Sequence, residues 1–239
     1  MTFPWAISSS LAAIFLASLP LLAGPVTGKV ELRDSREASV RKRLDYSGVV
    51  VSLTPAVPVK PVGKVHATML QKNKMFSPHV LAVMLGTYVD FPNEDPIFHN
   101  AFSNYDGQPF DVALYPPGTS RSVLLSREGI VRVFCNIHSS MSAIIVVLPT
   151  PYFATTRKDG TFQIPNVPPG DYQLNVFHER ATEATLHLLG RRITVEEAPL
   201  TLPLIVISEA GFLQMPHTNK YGQGYPPETD ERGYKVTTK

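Results

Sequence analysis

Short apolar or alternating runs, each bounded by turn residues, recur along most of the chain and constrain its fold more than any other feature. Val80–Met84 and residues 88–91, 143–148 and 172–177 are examples, and we also interpret residues 184–189 as a strand. The 22 prolines outnumber the 15 glycines, and prolines suit turns and strand ends better than helix interiors. Strands at this density are typical of β-sandwiches. The sequence therefore predicts an all-β protein.

The bulk composition is that of a globular protein without a nucleic-acid partner. Hydrophobic residues make up 44% of the 239 residues, charged residues make up 18%, and the net charge is only +2. A chain of this length can bury one large or two small cores. Because no dense basic face is evident, we expect no nucleic-acid binding.

The first 23 residues have the pattern of an export signal. Residues 11–23, LAAIFLASLPLLA, are uncharged, apolar and end in small residues, as signal peptides do. No Lys or Arg precedes this stretch, which departs from the usual pattern, and an uncleaved membrane anchor is the alternative. We expect residues 1–23 to be a signal peptide, the protein to be periplasmic or secreted, and the mature chain to have no transmembrane segment.

Cys135 is the only cysteine of the chain and lies in the sequence CNIHSSM, residues 135–141. It cannot form an internal disulfide, so in an oxidising compartment it is buried and inert, free, or ligated. A thiolate, an imidazole and a thioether are ligands that copper favours, and a trigonal copper site with an axial Met needs one more histidine. His99 is the candidate. Taken singly, Cys135 and Met141 would more often be core residues, and His99 a polar residue at a strand edge.

The candidate ligands His138 and Met141 follow Cys135 within one turn. Cys135 ends the alternating run 130–135, and the next apolar run begins at residue 143. One tight loop between two strands therefore presents three of the four candidates, and His99 would approach from a neighbouring strand.

Residues 61–149 resemble the cupredoxins, the blue-copper proteins of plastocyanin and amicyanin type. The resemblance depends on FSPHVLAV (76–83), GTYVDFPN (86–93), FHN (98–100) and the cysteine loop, in that order. It implies a Greek-key sandwich with one type 1 copper, held by His99, Cys135 and His138 in the plane and by Met141 axially. It also implies that Asn100 joins the two ligand segments through hydrogen bonds.

Residues 24–60 and 150–208 together resemble the carboxypeptidase regulatory-like, or transthyretin-like, sandwich. The motifs are TRKDGTFQI (156–164), VPPGDYQL (167–174) and an opening GKV at residues 28–30. We therefore predict that the cupredoxin part is inserted into this second sandwich and that residues 209–239 form an irregular tail. The competing arrangement is an isolated hairpin followed by two consecutive domains.

The two resemblances together imply a function. Proteins of this layout resemble those called methylamine utilisation-type proteins, and the implied role is to carry single electrons between redox partners. A periplasmic dehydrogenase or a c-type cytochrome would be such a partner, and no enzymatic activity is expected. The alternative is a copper-binding, copper-delivery or docking protein without electron transfer.

Overall fold

The computed structural model describes residues 23–60, 63–104, 107–213 and 216–225. The predicted signal peptide, apart from its last residue, lies outside these ranges. The described residues form 18 strands and two short helices, which confirms the all-β sandwich class. None of the helices within these ranges has the length and apolar character needed to cross a membrane.

One sandwich is built from both ends of the described chain. Its first sheet places the N-terminal strand between an antiparallel neighbour and two short parallel strands from the C-terminal part. The strands of this sheet are β1 (Gly24–Arg33), β14 (Thr161–Val167), β17 (Leu200–Thr201) and β18 (Ile205–Ser208). Its second sheet has the order β13 (Phe153–Thr155), β2 (Val50–Pro55), β15 (Gly170–Phe177) and β16 (Arg191–Val195).

The core of this terminal sandwich is made by inward-facing residues of both sheets. Val26 and Val30 of β1 pack with Leu53 of β2 and Leu174 of β15, and all four are fully buried. The turn before β14 comes very close to β1: a Cβ on Gly160 would lie 2.1 Å from the carbonyl oxygen of Val30. Only glycine fits there, and its φ of +80° is also one that glycine tolerates best.

The middle of the chain forms a second sandwich with a core of its own. One sheet has the order β10 (Ser120–Leu124), β7 (Tyr88–Pro92) and β3 (His66–Thr68). The other has the order β6 (Val80–Met84), β12 (Ser142–Leu148), β11 (Gly129–Phe134), β8 (Phe102–Ser103) and β9 (Phe110–Asp111). A two-stranded hairpin consists of β4 (Leu70–Lys72) and β5 (Met75–Ser77).

Strand β12 is buried on both faces because the two sandwiches pack against each other. Ala143, Ile145 and Val147 point into the core of the middle sandwich. Ile144 and Val146, which alternate with them, form a separate buried cluster with β6 and with Val50 and Phe177 of the terminal sandwich. Burial on both faces requires an uninterrupted apolar run rather than an alternating one, and residues 143–148 are such a run.

The pairing of the chain ends bears on the two arrangements considered from the sequence. Strands β1 and β2 belong to different sheets, and each pairs with strands that follow residue 150. This is the pairing that insertion of a middle domain would produce. The division into residues 24–60 plus 150–208 and 61–149 stays a prediction.

One sequence interpretation of local structure was wrong. Residues 184–189, interpreted as a strand, belong to helix α2 (Glu183–Leu189). The Thr182 side chain accepts a hydrogen bond from the backbone N–H of Thr185, which caps the helix start. The other helix, α1 (Ala38–Arg43), lies in the charged segment 33–45 between β1 and β2.

Candidate metal centre

The side chains of His99, Cys135 and His138 meet in the interior of the middle sandwich. The Cys135 sulfur lies 3.8 Å from Nδ1 of His99 and 3.7 Å from Nδ1 of His138. The three candidate donor atoms all lie within 4.8 Å of one another. Since none of the three residues is more than 1% exposed, water has little access to the space between them.

The loop after β11 is closed by its own backbone. The Cys135 N–H donates to the carbonyl oxygen of Met141 at 3.1 Å, and the Met141 N–H donates to that of His138 at 3.2 Å. These bonds join the end of β11 to the start of β12, which are antiparallel neighbours. The short loop therefore folds back on itself and directs Cys135 and His138 to the same point.

His99 is held by a strand-like contact with Tyr115. The two residues exchange backbone hydrogen bonds of 3.3 and 2.9 Å. The Tyr115 hydroxyl donates to the carbonyl oxygen of Phe91 at 2.8 Å, and burial raises the pKa of Tyr115 well above its usual value. This buried tyrosine ties the segment that carries His99 to strand β7.

Asp95 orients the His99 ring, a contact that the sequence interpretation missed. Nε2 of His99 lies 2.8 Å from the Asp95 carboxylate, so this nitrogen is the donor and Nδ1 is left with its lone pair facing Cys135. The Asp95 carboxylate also accepts from the backbone N–H groups of Asn73 and Lys74. Burial by itself raises the pKa of Asp95, but these hydrogen bonds and His99 outweigh it and lower the pKa. In the sequence, the i, i+4 spacing of Asp95 and His99 was the one feature that could have indicated this contact.

Asn100 joins the two ligand-bearing segments. Its side-chain oxygen accepts a 2.6 Å hydrogen bond from the backbone N–H of Asn136, directly after Cys135. Both Asn100 and Cys135 are fully buried. The contact is the one that the resemblance implied for Asn100.

The surroundings of the Cys135 thiol favour its neutral form in the metal-free protein. Burial raises its pKa, and the backbone N–H groups of Asn100, Ile137, His138 and Asn136 offset this only in part. Those N–H groups point at the sulfur, so they would also stabilise a thiolate once a cation was present.

Met141 lies in the same buried cluster as Cys135 and is fully buried. The structure thus places all four predicted ligands and Asn100 in one interior region. Among the described residues, His99, Cys135 and His138 form the one group of His, Cys, Asp and Glu side chains that could hold a metal ion. Their roles as ligands, and that of Met141, stay predictions.

The donor set fits a soft or borderline transition metal. Bonds of about 2.3 Å to sulfur and about 2.0 Å to nitrogen would leave such donors about 3.5–3.7 Å apart around one metal, close to the 3.8 and 3.7 Å between Cys135 and the two histidines. Thiolate and imidazole donors suit copper and zinc, and a Met near a His₂Cys set is typical of blue-copper sites.

Comparison with known proteins gives partial likenesses. No family model matches the sequence, and no curated protein matches it. Among solved structures, the copper-containing nitrite reductase from Thermus scotoductus SA-01 is 27% identical over 41% of this chain, with a TM-score of 0.35. This chain spans 25% of that reductase.

Two cupredoxin structures are also similar to part of the chain. A purple cupredoxin from Nitrosopumilus maritimus is 21% identical over 34% of this chain and 99% of its own, with a TM-score of 0.31. A reduced mutant of amicyanin is 16% identical over 41% of this chain and 98% of its own, with a TM-score of 0.34. All these TM-scores are below 0.5, so the case for the site depends on its own geometry. None of these likenesses bears on the predicted carboxypeptidase regulatory-like sandwich.

Proposed function

We propose that this protein is an exported, mononuclear type 1 copper protein that carries single electrons between redox partners. The observation that carries the proposal is the direction of two imidazoles. Nδ1 of His99 and Nδ1 of His138 both face the one buried thiol, at 3.8 and 3.7 Å. When bound, copper would supply a one-electron couple at this point, with Met141 as the axial ligand.

The protein's part in this chemistry is to hold the donor atoms still. Cys135 and His138 belong to a loop closed by its own hydrogen bonds, and His99 is fixed by Tyr115 and Asp95. A donor set that does not move between two oxidation states costs little reorganisation when an electron arrives. Groups that orient metal ligands also tune the metal they bind.

The burial of the site supports electron transfer over catalysis or copper delivery. His99, Cys135 and His138 are at most 1% exposed, which disfavours direct contact with a substrate, whereas electron transfer does not require such contact. A delivery protein would benefit from an exposed, exchangeable site. We therefore propose that the chain is not an enzyme and keeps its copper.

The location and partner follow from the same proposal. The apolar segment 11–23 supports export to the periplasm or outside the cell. A periplasmic dehydrogenase or a c-type cytochrome would then be the redox partner.

The test is to load the purified protein with Cu(II) and record the visible spectrum. We expect an intense thiolate-to-copper absorption band in the wild type, loss of that band in Cys135→Ser, and reversible voltammetry. Absence of a band in the wild type, or its survival in Cys135→Ser, would refute the copper assignment.

A matched pair of methionine variants tests the axial ligand. Met69 and Met141 are both fully buried in the core of the middle sandwich. We expect Met141→Leu to shift the spectrum and the reduction potential and Met69→Leu to change neither. Equal effects from the two would remove Met141 from the site.

A further inference from the structure

A segment of the predicted tail is bound to the candidate ligand loop. Residues 216–225 contain no helix or strand, yet three of their groups contact residues 135–139. The Tyr225 hydroxyl donates to the carbonyl oxygen of Cys135 at 2.9 Å. Nε2 of His217 donates to the carbonyl oxygen of Ser139 at 2.9 Å, and the Lys220 N–H donates to the side-chain oxygen of Asn136 at 3.0 Å.

These contacts lie on both sides of His138 in the sequence. Cys135 and Asn136 precede it, and Ser139 follows it directly. His138 has only 1% of its surface exposed. A movement of the loop backbone at Cys135 or Ser139 would therefore break a bond to the tail.

His217 connects the tail contacts to each other. Its ring stacks on Phe134, the last residue of β11, with the ring centres 4.1 Å apart. Its Nδ1 lies 3.2 Å from the Tyr225 hydroxyl. Because the Ser139 carbonyl can only accept, Nε2 carries a hydrogen and donates it to Ser139.

The segment is ordered by its own hydrogen bonds and by a second anchor. The side-chain oxygen of Asn219, a residue only 8% exposed, accepts from the backbone N–H groups of Tyr221 and Gln223. The Lys220 ammonium group pairs with Asp111 at 2.7 Å. An internally bonded loop loses less conformational entropy when it binds than a disordered one.

We propose that residues 216–225 are a C-terminal clamp that positions the ligand loop and slows metal exchange. The proposal rests on the proposed function, in that the metal exchanged is the copper of that site. Tyr225 and His217 are positioning residues: they act on the backbone of Cys135 and Ser139 and do not contact the metal. Copper would enter or leave after the clamp lifts and the loop opens.

The first test uses full-length variants loaded with copper. Tyr225→Phe removes the hydroxyl that bonds to Cys135, and His217→Ala removes the stacked ring and its bond to Ser139. We expect each variant to lose copper to an excess of chelator about ten times faster than the wild type does. The reason is that each variant lacks one hydrogen bond that stabilises the closed state. Tyr88→Phe is the control, since Tyr88 lies in β7, where its ring stacks on His66, and its rate should equal that of the wild type.

The second test needs no metal. Amide hydrogen exchange of residues 135–141 in the metal-free protein should speed up in Tyr225→Phe and His217→Ala and stay unchanged in Tyr88→Phe. A chain ending at residue 225 should behave as the full chain does, whereas a chain ending at residue 215 should show the largest increase.

The outcomes separate this proposal from the proposed function. A wild type without the absorption band overturns the electron-transfer proposal, while the exchange measurement on metal-free protein still decides whether the clamp positions the loop. A wild type with the band, and variants whose chelator capture and amide exchange both equal those of the wild type, would overturn the clamp alone.

Discussion

Replacing Glu209 by Gln should destabilise the protein strongly at neutral pH and hardly at all in acid. Glu209 follows β18 and is buried. Its carboxylate accepts from Nε2 of His178 at 2.7 Å, Nε of Arg180 at 3.1 Å and the Ser35 hydroxyl at 2.5 Å. Arg180 also binds Glu179, which pairs with His79 of the middle sandwich. The carboxylate thus sits at the centre of a charged network between the two sandwiches.

The magnitude follows from the pKa of the carboxyl group. Burial alone raises the pKa of Glu209, but the hydrogen bonds from His178, Arg180 and Ser35 outweigh it and lower the pKa from 4.5 to about 2. At about 1.4 kcal/mol per pH unit, this difference corresponds to about 3 kcal/mol. Because the folded-state pKa is the lower one, the stabilisation is complete well above pH 4.5 and is lost as the pH falls from about 5 to about 2.

Urea unfolding of the metal-free protein at pH 7, 5, 4 and 3 measures this effect. We expect Glu209→Gln to lower the free energy of unfolding by about 3 kcal/mol at pH 7, with the difference from the wild type shrinking steadily below pH 5. Glu197→Gln, at an exposed position, should match the wild type throughout. A loss below about 1 kcal/mol at pH 7, or a difference that does not change with pH, would refute the reasoning.

Three further predictions concern groups around the candidate site. Both ring nitrogens of His79 face acceptors, Glu179 and the Ser142 carbonyl. The hydrogen bond to Glu179 is the largest cause of the raised pKa of His79. The midpoint of its NMR titration should therefore lie above 6.5. The stability that protonated His79 contributes is complete below pH 6.5 and is lost as the pH rises through its raised pKa. A midpoint at or below 6.5 would contradict this prediction. Asp95→Asn should weaken copper binding by about 10–100-fold and raise the reduction potential, since Nε2 of His99 loses a charged acceptor; unchanged affinity and potential would argue against that role. Asn100→Ala should speed amide exchange at Asn136 in metal-free protein, because the 2.6 Å bond to Asn136 is lost, and protection equal to that of the wild type would show that this bond does not hold the loop.

Parts of the fold and site that depend on nearby residues could be predicted from the sequence. The run before Cys135 and the run after Met141 are strands β11 and β12, and the loop between them carries the candidates Cys135 and His138 to one point. Helix α2 was missed although its signal is also local: Thr182 is a capping residue with Glu183 in the first turn.

The tertiary structure alone decided which distant groups hold that loop. Nothing in the sequence places Tyr225 against Cys135, 90 positions away, and the contact of Asn100 with Asn136, 36 positions away, was expected from the cupredoxin resemblance and not from local spacing. The stacking of the His217 ring on Phe134 likewise joins residues that are far apart in the sequence. Short-range spacing is enough to predict the candidate ligands of the loop 135–141, because one turn can present several side chains. Its rigidity depends on which strands and tail residues pack around that turn, and such long-range packing has no short sequence signature.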